Sequence, residues 1–169
     1  GAHIIGIDAF TDFYSRSIKE QNIRSLVNHP HFEFMPSDIL EIDLGKIMKR
    51  VDVVFHLAAQ PGVRTSWGSD LSIYTKNNID ATQSLLEAAK TANLEKFIYA
   101  SSSSVYGLSP QLPRTETSAL HPYSPYGVTK LAAENLCFLY YKNYGIPCVS
   151  LRFFTVYGPG QRPDMAFNR

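Results

Sequence analysis

Short apolar runs of extended character alternate along the chain with longer stretches of helical spacing. His3 to Asp8 is an apolar run ending in an acid, and Ser15 to Asn28 reads as a polar helix closed by His29-Pro30. His31 to Met35 is a second extended run, followed by a short helix around Leu44 to Lys49. Val51 to Ala59 is nearly continuous β-branched and apolar sequence, the pattern of a strand covered on both faces. Leu71 to Ala92 predicts a long helix with Leu85, Leu86, Ala88, Ala89 and Ala92 available for one buried side. The strand Lys96 to Ser101 leads into a loop carrying Pro110, Pro113 and Pro122. A helix then begins with Ser124 as N-cap and Pro125 in its first turn, and Gly145-Ile146-Pro147 closes it. Cys148 to Phe154 is the last strand.

Strands separated by helices of this length imply right-handed crossovers and a doubly wound parallel sheet, an α/β fold. Ligands of such sheets sit beyond the carboxyl ends of the strands. The informative residues are therefore those where apolar runs stop: Asp8, Asp38, Ala58-Ala59, Ser101-Ser102 and Phe154-Thr155. The helix after Ser124 starts at the same edge, and on it Tyr126 and Lys130, four apart, share a face. A tyrosine titrates near ~10 in short peptides, so a phenolate at neutral pH requires about 4 kcal/mol of preferential stabilisation. An ammonium one turn away supplies part of that, which makes the pair a candidate acid/base centre.

At 44% hydrophobic and 18% charged, the 169 residues suit one globular domain or part of a larger one. A net charge of +1 without Lys/Arg runs argues against nucleic-acid or membrane-surface binding. The sequence holds no apolar run of membrane-spanning length and no signal-peptide pattern at its start, so a cytoplasmic location is expected. Cys137 and Cys148 fall in an apolar helix and an apolar strand, which suits buried reduced thiols rather than a disulfide framework or metal cage. No metal site is expected.

Five motifs sharpen this. His56-Leu57-Ala58-Ala59, Asn77-Asn78-Ile79, Ser101-Ser102-Ser103-Ser104-Val105-Tyr106-Gly107, Ser124-Pro125-Tyr126-Gly127-Val128-Thr129-Lys130 and Leu151-Arg152-Phe153-Phe154-Thr155-Val156-Tyr157-Gly158-Pro159 stand in this order. Together they resemble the extended short-chain dehydrogenase/reductase family and, within it, the nucleotide-sugar epimerases. The tail Gly160-Gln161-Arg162-Pro163-Asp164-Met165-Ala166 is most similar to the UDP-glucuronate and UDP-glucose 4-epimerases. The resemblance implies a Rossmann-like sheet that here lacks its first strand and Gly-rich phosphate loop, since Gly1 and Gly6 lie inside a strand pattern. It also implies that the first strand present and the Val51 run are left without the neighbour between them. The chain accordingly reads as an internal fragment, with 1–155 the NAD-binding part and 156–169 the start of a substrate-binding region. Such a fragment is expected to bind NAD weakly or not at all, and to be inactive alone.

Roles follow from the resemblance. Asp8 matches the acid that accepts from the adenosine ribose hydroxyls and favours NAD over NADP, against the alternative of an aspartate capping a turn. Asp38 and Ile39 match the adenine-contacting pair, and Leu57, Ala58 and Ala59 the loop beneath the cofactor phosphates and ribose. Asn77 matches an asparagine near that loop, with helix capping by Asn77 or Asn78 the competing reading. Ser102 matches the residue that hydrogen-bonds the sugar C4 hydroxyl, Ser103 being the runner-up. Ser103 and Ser104 stand where the related 4,6-dehydratases have an Asp-Glu pair, which counts against dehydration. Tyr126 and Lys130 would carry proton transfer, Phe154 would border the nicotinamide, and Thr155 would face the sugar nucleotide. Arg162 hints at a uronate carboxylate, with a structural arginine as the alternative. The implied activity is UDP-sugar 4-epimerisation through transient C4 oxidation by NAD. A 4-reductase, decarboxylase or dehydratase, or a non-catalytic NAD sensor or scaffold of the same fold, are the rival readings. A homodimer is implied, with Leu136, Leu139 and Tyr140 available for its helical interface.

Overall fold

A computed structural model describes residues 1–108 and 112–165. Pro110 of the proline-bearing loop and Ala166 of the tail lie outside the described residues. The elements are β1 (Ile4–Ile7), α1 (Arg16–Ile23), β2 (Phe32–Met35), α2 (Leu44–Met48), β3 (Val53–His56), α3 (Leu71–Tyr74), α4 (Ala81–Ala89), β4 (Lys96–Ser102), α5 (Pro125–Tyr144) and β5 (Cys148–Phe153). All strand pairing is parallel, β1 with β2 in one sheet and β3-β4-β5 in order in another. β1 and β3 therefore lie in different sheets.

The chain forms two compact units, 1–42 with 155–169, and 43–154. In the first, β1 and β2 pair from Ile4 with Phe32 to Ile7 with Met35. After β1 the chain turns sharply at Phe10, whose φ of 50° is left-handed and whose ring packs 5.3 Å from that of Phe34. Helix α1 is shorter than its polar pattern suggested, ending at Ile23 rather than near Asn28.

The second unit holds most of the core. Phe97, Tyr99 and Ser101 of β4 point to one face together with His56 of β3, and all are buried. α5 packs against β4 and β5 and also against α4, while α4 packs against α2. Burial of Phe97 alone stabilises by about 2–3 kcal/mol. α4 buries Ala81, Leu85, Leu86 and Ala89, a stripe at helical spacing. Between α3 and α4 the helix widens into a π-helical turn, Thr75–Asp80, so the segment expected as one regular helix from Leu71 is interrupted.

The opposite sheet face departs from the expectation of a strand covered on both sides. β3 is only Val53–His56, and Phe55 on that face is 65% exposed. Leu151 and Phe153 of β5 alternate outward with it. Apolar sequence is legible as strand, but which face is covered depends on chain segments beyond the strand itself.

Candidate active site

α5 starts where its sequence dictates: the Ser124 hydroxyl accepts from the Gly127 N–H at 3.0 Å, and Pro125 occupies the first turn. Gly145, at φ 71°, ends it in the left-handed conformation. β4 ends at Ser102, whose hydroxyl accepts from the Ser104 N–H at 3.1 Å and caps a 3-10 turn, Ser103–Val105. The helix start rests on that turn. A Cβ at Gly127 would lie 2.8 Å from the Ser104 carbonyl oxygen, so only glycine lets the residue after Tyr126 approach the serine turn this closely.

Ser102, Ser103, Tyr126 and Lys130 thus belong to one connected piece of structure. Lys130 is 3% exposed, its ammonium 4.5 Å from the centroid of Tyr99, whose hydroxyl donates to the Lys130 carbonyl at 3.4 Å. Burial pushes the Lys130 pKa down to about 8. Tyr126 is half-buried, and its ring meets that of Tyr74 edge-on, centroids 6.4 Å apart. Ser101 turns the other way and donates to Glu134 at 2.7 Å.

A buried network supports this group. The Asn78 side chain accepts from the Gln60 N–H at 2.7 Å and donates to the Gln60 carbonyl and to the Thr129 hydroxyl at 3.2 and 2.9 Å. Thr129 in turn donates to the Tyr126 carbonyl at 2.9 Å. Thr82 donates to the Asn78 carbonyl at 2.7 Å and meets His56 Nε2 at 2.8 Å. Its hydroxyl hydrogen being committed, His56 donates from Nε2, and burial pushes the His56 pKa down to about 3, so the ring is neutral. The loop carrying Leu57, Ala58 and Ala59 is held at Gln60 by this network, and the Tyr74 hydroxyl fixes it further on by donating to the Pro61 and Gly62 carbonyls, both at 3.1 Å. Leu57 and Ala58 are exposed there, small or accessible side chains on an anchored backbone.

Asn77 and its neighbour make different contacts. It is Asn78, 1% exposed, that grips the loop, whereas Asn77 donates to the Ile73 carbonyl within its own helix at 2.9 Å. Asn78 stands four after Tyr74, four before Thr82 and seven before Leu85, on the buried stripe, and Asn77 lies off it. Sequence reading also missed Tyr74 and Thr129, and the pair Glu134 and Arg152. The Arg152 guanidinium forks onto Glu134 at 2.5 and 3.0 Å and donates to the Tyr106 hydroxyl at 3.3 Å, tying β5 and α5 to the segment after the serine turn. Phe154, 61% exposed, stacks on Tyr106 with centroids 6.3 Å apart.

The remaining candidates belong to the first unit. Asp8 accepts from the Phe10 N–H at 2.7 Å, and Asp38 from the Leu40 N–H at 3.0 Å, starting the 3-10 turn Ile39–Glu41. Both carboxylates therefore fill the turn-capping role as well as standing at strand ends. Thr155 is exposed. Arg162 pairs with Asp164 at 3.0 Å and covers the Phe13 ring at 5.4 Å, contacts that account for it structurally. Among the described residues no group of three or more His, Cys, Asp or Glu is arranged to hold a metal ion, and no helix is long and apolar enough to cross a membrane.

A family model for the NAD dependent epimerase/dehydratase family matches residues 1–169. The chain belongs to that family. It is 50% identical over 167 residues to the uncharacterized UDP-glucose epimerase YtcB of Bacillus subtilis, covering 99% of this chain and 52% of the relative. A crystal structure of UDP-glucuronic acid 4-epimerase from Bacillus cereus with UDP-glucuronic acid and NAD matches at a TM-score of 0.95 and 54% identity, over 99% of this chain and 53% of that one. The dTDP-glucose 4,6-dehydratase DesIV from Streptomyces venezuelae with NAD bound matches at 0.87 and 29%, over 98% and 50%. The chain thus spans about half the length of these relatives. The α/β, Rossmann-like architecture read from the alternation of strands and helices is the architecture of the family.

Proposed function

We propose that the whole protein is an NAD-dependent nucleotide-sugar 4-epimerase acting on UDP-glucuronate or UDP-glucose. The observation that carries this reading is the joining of Ser102, Tyr126 and Lys130 in one unit through the Ser104–Gly127 contact and the Asn78–Thr129 bridge. Identity of 54% to an enzyme described as a UDP-glucuronic acid 4-epimerase supports the sugar acid as the first substrate to test. Ser103 and Ser104 standing in place of an acidic pair supports epimerisation over dehydration.

The anchored loop of Leu57, Ala58 and Ala59, its first two residues exposed, fits a dinucleotide lying along it, and Asp8 and Asp38 with Ile39 would hold the adenosine half. Phe154 would border the nicotinamide. When bound, NAD supplies the hydride acceptor, so that the C4 hydrogen leaves and returns to the opposite face of the sugar with no net redox change. Tyr126 takes the C4 hydroxyl proton and gives it back, and Ser102 hydrogen-bonds that hydroxyl, with Ser103 beside it. Lys130 supplies positive charge from a dry position, where it counts for more than in water. Thr155 would face the sugar nucleotide, and Arg162 would reach a uronate carboxylate only by giving up Asp164. Residues 1–155 then form the cofactor-binding part and 156–169 open the substrate-binding part of a cytoplasmic enzyme. Phe138, Leu139 and Tyr141, exposed on α5, are the apolar surface for a homodimer, whereas Tyr140 is buried against Glu87 and Gln83 of α4.

The test is incubation of the full-length protein with UDP-glucuronate and, separately, UDP-glucose. C4 epimers without accumulated NADH are expected. A released 4-keto or decarboxylated sugar would instead favour the reductase or decarboxylase reading, and retained NAD binding without conversion a sensor. Tyr126→Phe is expected to lower turnover by at least about a hundredfold with sugar-nucleotide affinity largely kept; activity within tenfold of the parent refutes its role.

A further inference from the structure

The run Ser101-Ser102-Ser103-Ser104 offers identical hydroxyls in succession, and nothing in the run itself decides which of them points into the covered face of the sheet. The decision comes from outside it. Ser101 and Arg152 stand opposite each other in the β4–β5 ladder, so both side chains leave the sheet on one face, the face on which α5 packs. Glu134 meets them from α5, on the stripe of that helix that also carries Tyr126 and Lys130. Its two oxygens are divided between the partners. Oε2 accepts from the Ser101 hydroxyl at 2.7 Å, and Oε1 accepts from Arg152 Nη2 and Nε at 2.5 and 3.0 Å, with Nε also 3.2 Å from Oε2. The third Arg152 nitrogen, Nη1, reaches the far side of the serine turn, donating to the Tyr106 hydroxyl at 3.3 Å and to the Glu116 carbonyl at 2.9 Å. The guanidinium also lies 5.1 Å from the centroid of the buried Tyr106 ring. The Glu134 and Arg152 side chains are 13% and 18% exposed, so the pair is held largely away from water.

We propose that Glu134 and Arg152 are positioning residues for Ser102, a clamp that grips Ser101 before the serine turn and Tyr106 after it and fixes both to the helix bearing Tyr126 and Lys130. A carboxylate only accepts, so the Ser101 hydroxyl is held as a donor, and Arg152 matches the charge that Glu134 brings into this shielded place. With Ser101 committed to Glu134, the alternation of the strand turns Ser102 out of that face, where its hydroxyl accepts from the Ser104 N–H at 3.1 Å. A slip of the run by one residue would exchange the two hydroxyls, and the clamp is what forbids it. The catalytic part of this role rests on the 4-epimerase reading, in which Ser102 hydrogen-bonds the C4 hydroxyl; the hold on the turn does not.

The experiment compares the full-length protein with its Ser101→Ala and Glu134→Gln variants. Ser101→Ala leaves the ion pair whole and so reports the hold on the turn even if Glu134→Gln fails to fold. With UDP-glucuronate each variant is expected to lose at least about fivefold in kcat while KM changes by less than about twofold, because a displaced hydrogen-bonding group slows the chemical step without loosening the sugar nucleotide. In a Ser102→Ala background the same substitutions should cause no further loss, since their effect passes through Ser102. Hydrogen exchange, followed by mass spectrometry without substrate, should speed up at least about fivefold in a peptide over 102–107 and stay unchanged over 131–144 of α5. Losses that add to that of Ser102→Ala, a KM that rises as kcat falls, or exchange that is unchanged at the turn or faster along all of α5 would each overturn the proposal. A parent protein that does not epimerise either sugar nucleotide overturns the 4-epimerase reading instead, and the exchange comparison then still decides whether the pair clamps the turn.

Discussion

His56 is a base held without its proton. In an unfolded chain it titrates near 6.5, in the folded protein near 3, because the buried ring beside Lys130 cannot accept a charge. The depressed folded value means that the unfolded state binds the extra proton between these limits. Stability is therefore full above about pH 6.5 and is lost as pH falls toward 3. From pH 7 to pH 5 this residue alone removes about 2 kcal/mol. Urea midpoints at the two pH values should differ accordingly, and His56→Gln should shrink the difference; an undiminished acid loss in that variant sinks the assignment. Lys130 works in the same direction at the other end of the scale, since its lowered value makes stability rise with pH between about 8 and 10.5.

At the scale of the element, neighbouring residues of one type have very different worth. Asn78→Ala strands the Gln60 N–H and carbonyl and the Thr129 hydroxyl, a cost of about 1–3 kcal/mol, while Asn77→Ala removes one bond within a helix and should stay within about 0.5 kcal/mol. Equal losses in chemical denaturation would show that the pair is not oriented as described. Two glycines separate in the same way. Gly107 has φ 54°, and a Cβ there would lie 1.6 Å from the His121 carbonyl oxygen, whereas Gly145 has φ 71° and open space around it. Gly145→Ala should cost about 1 kcal/mol and Gly107→Ala several times as much, because it also breaks the backbone bridge to His121. What sequence could supply at this scale follows the locality of the cause. α5 was legible to the residue because serine cap, proline and terminal glycine are local signals, and Tyr126 and Lys130 came with it. β4 was legible because its burial alternates. Asn78, Thr129 and Glu134 were not, since their partners lie 18 or more residues away and each looks like an ordinary helix residue in isolation. Asp8 and Asp38 were legible as strand-end acids, but a carboxylate that caps a turn and one that meets a ligand are written with the same letter.

At the scale of the molecule, the three-stranded sheet has one finished face and one open one. Phe55, Leu151 and Phe153 present apolar surface to water on that face. The 169-residue chain should therefore self-associate, detectably by light scattering at micromolar concentration. Phe55→Ser combined with Leu151→Ser should reduce association while leaving the thermal transition cooperative; association unchanged in the double variant would locate the sticky surface elsewhere, on α5. The π-helical turn has a molecule-wide consequence of its own. A turn holding one residue more than the helix needs works as a phase shifter: it lets Tyr74 face the loop while Leu85, Leu86 and Ala89 still face the core. Because the widened turn already takes up the additional residue, deleting one residue between 75 and 80 would restore even winding and leave the upstream and downstream faces in phase. Lengthening it is different: with that slack already used, one more residue would rotate everything downstream by about 100° and unseat the helix from one of its two partners.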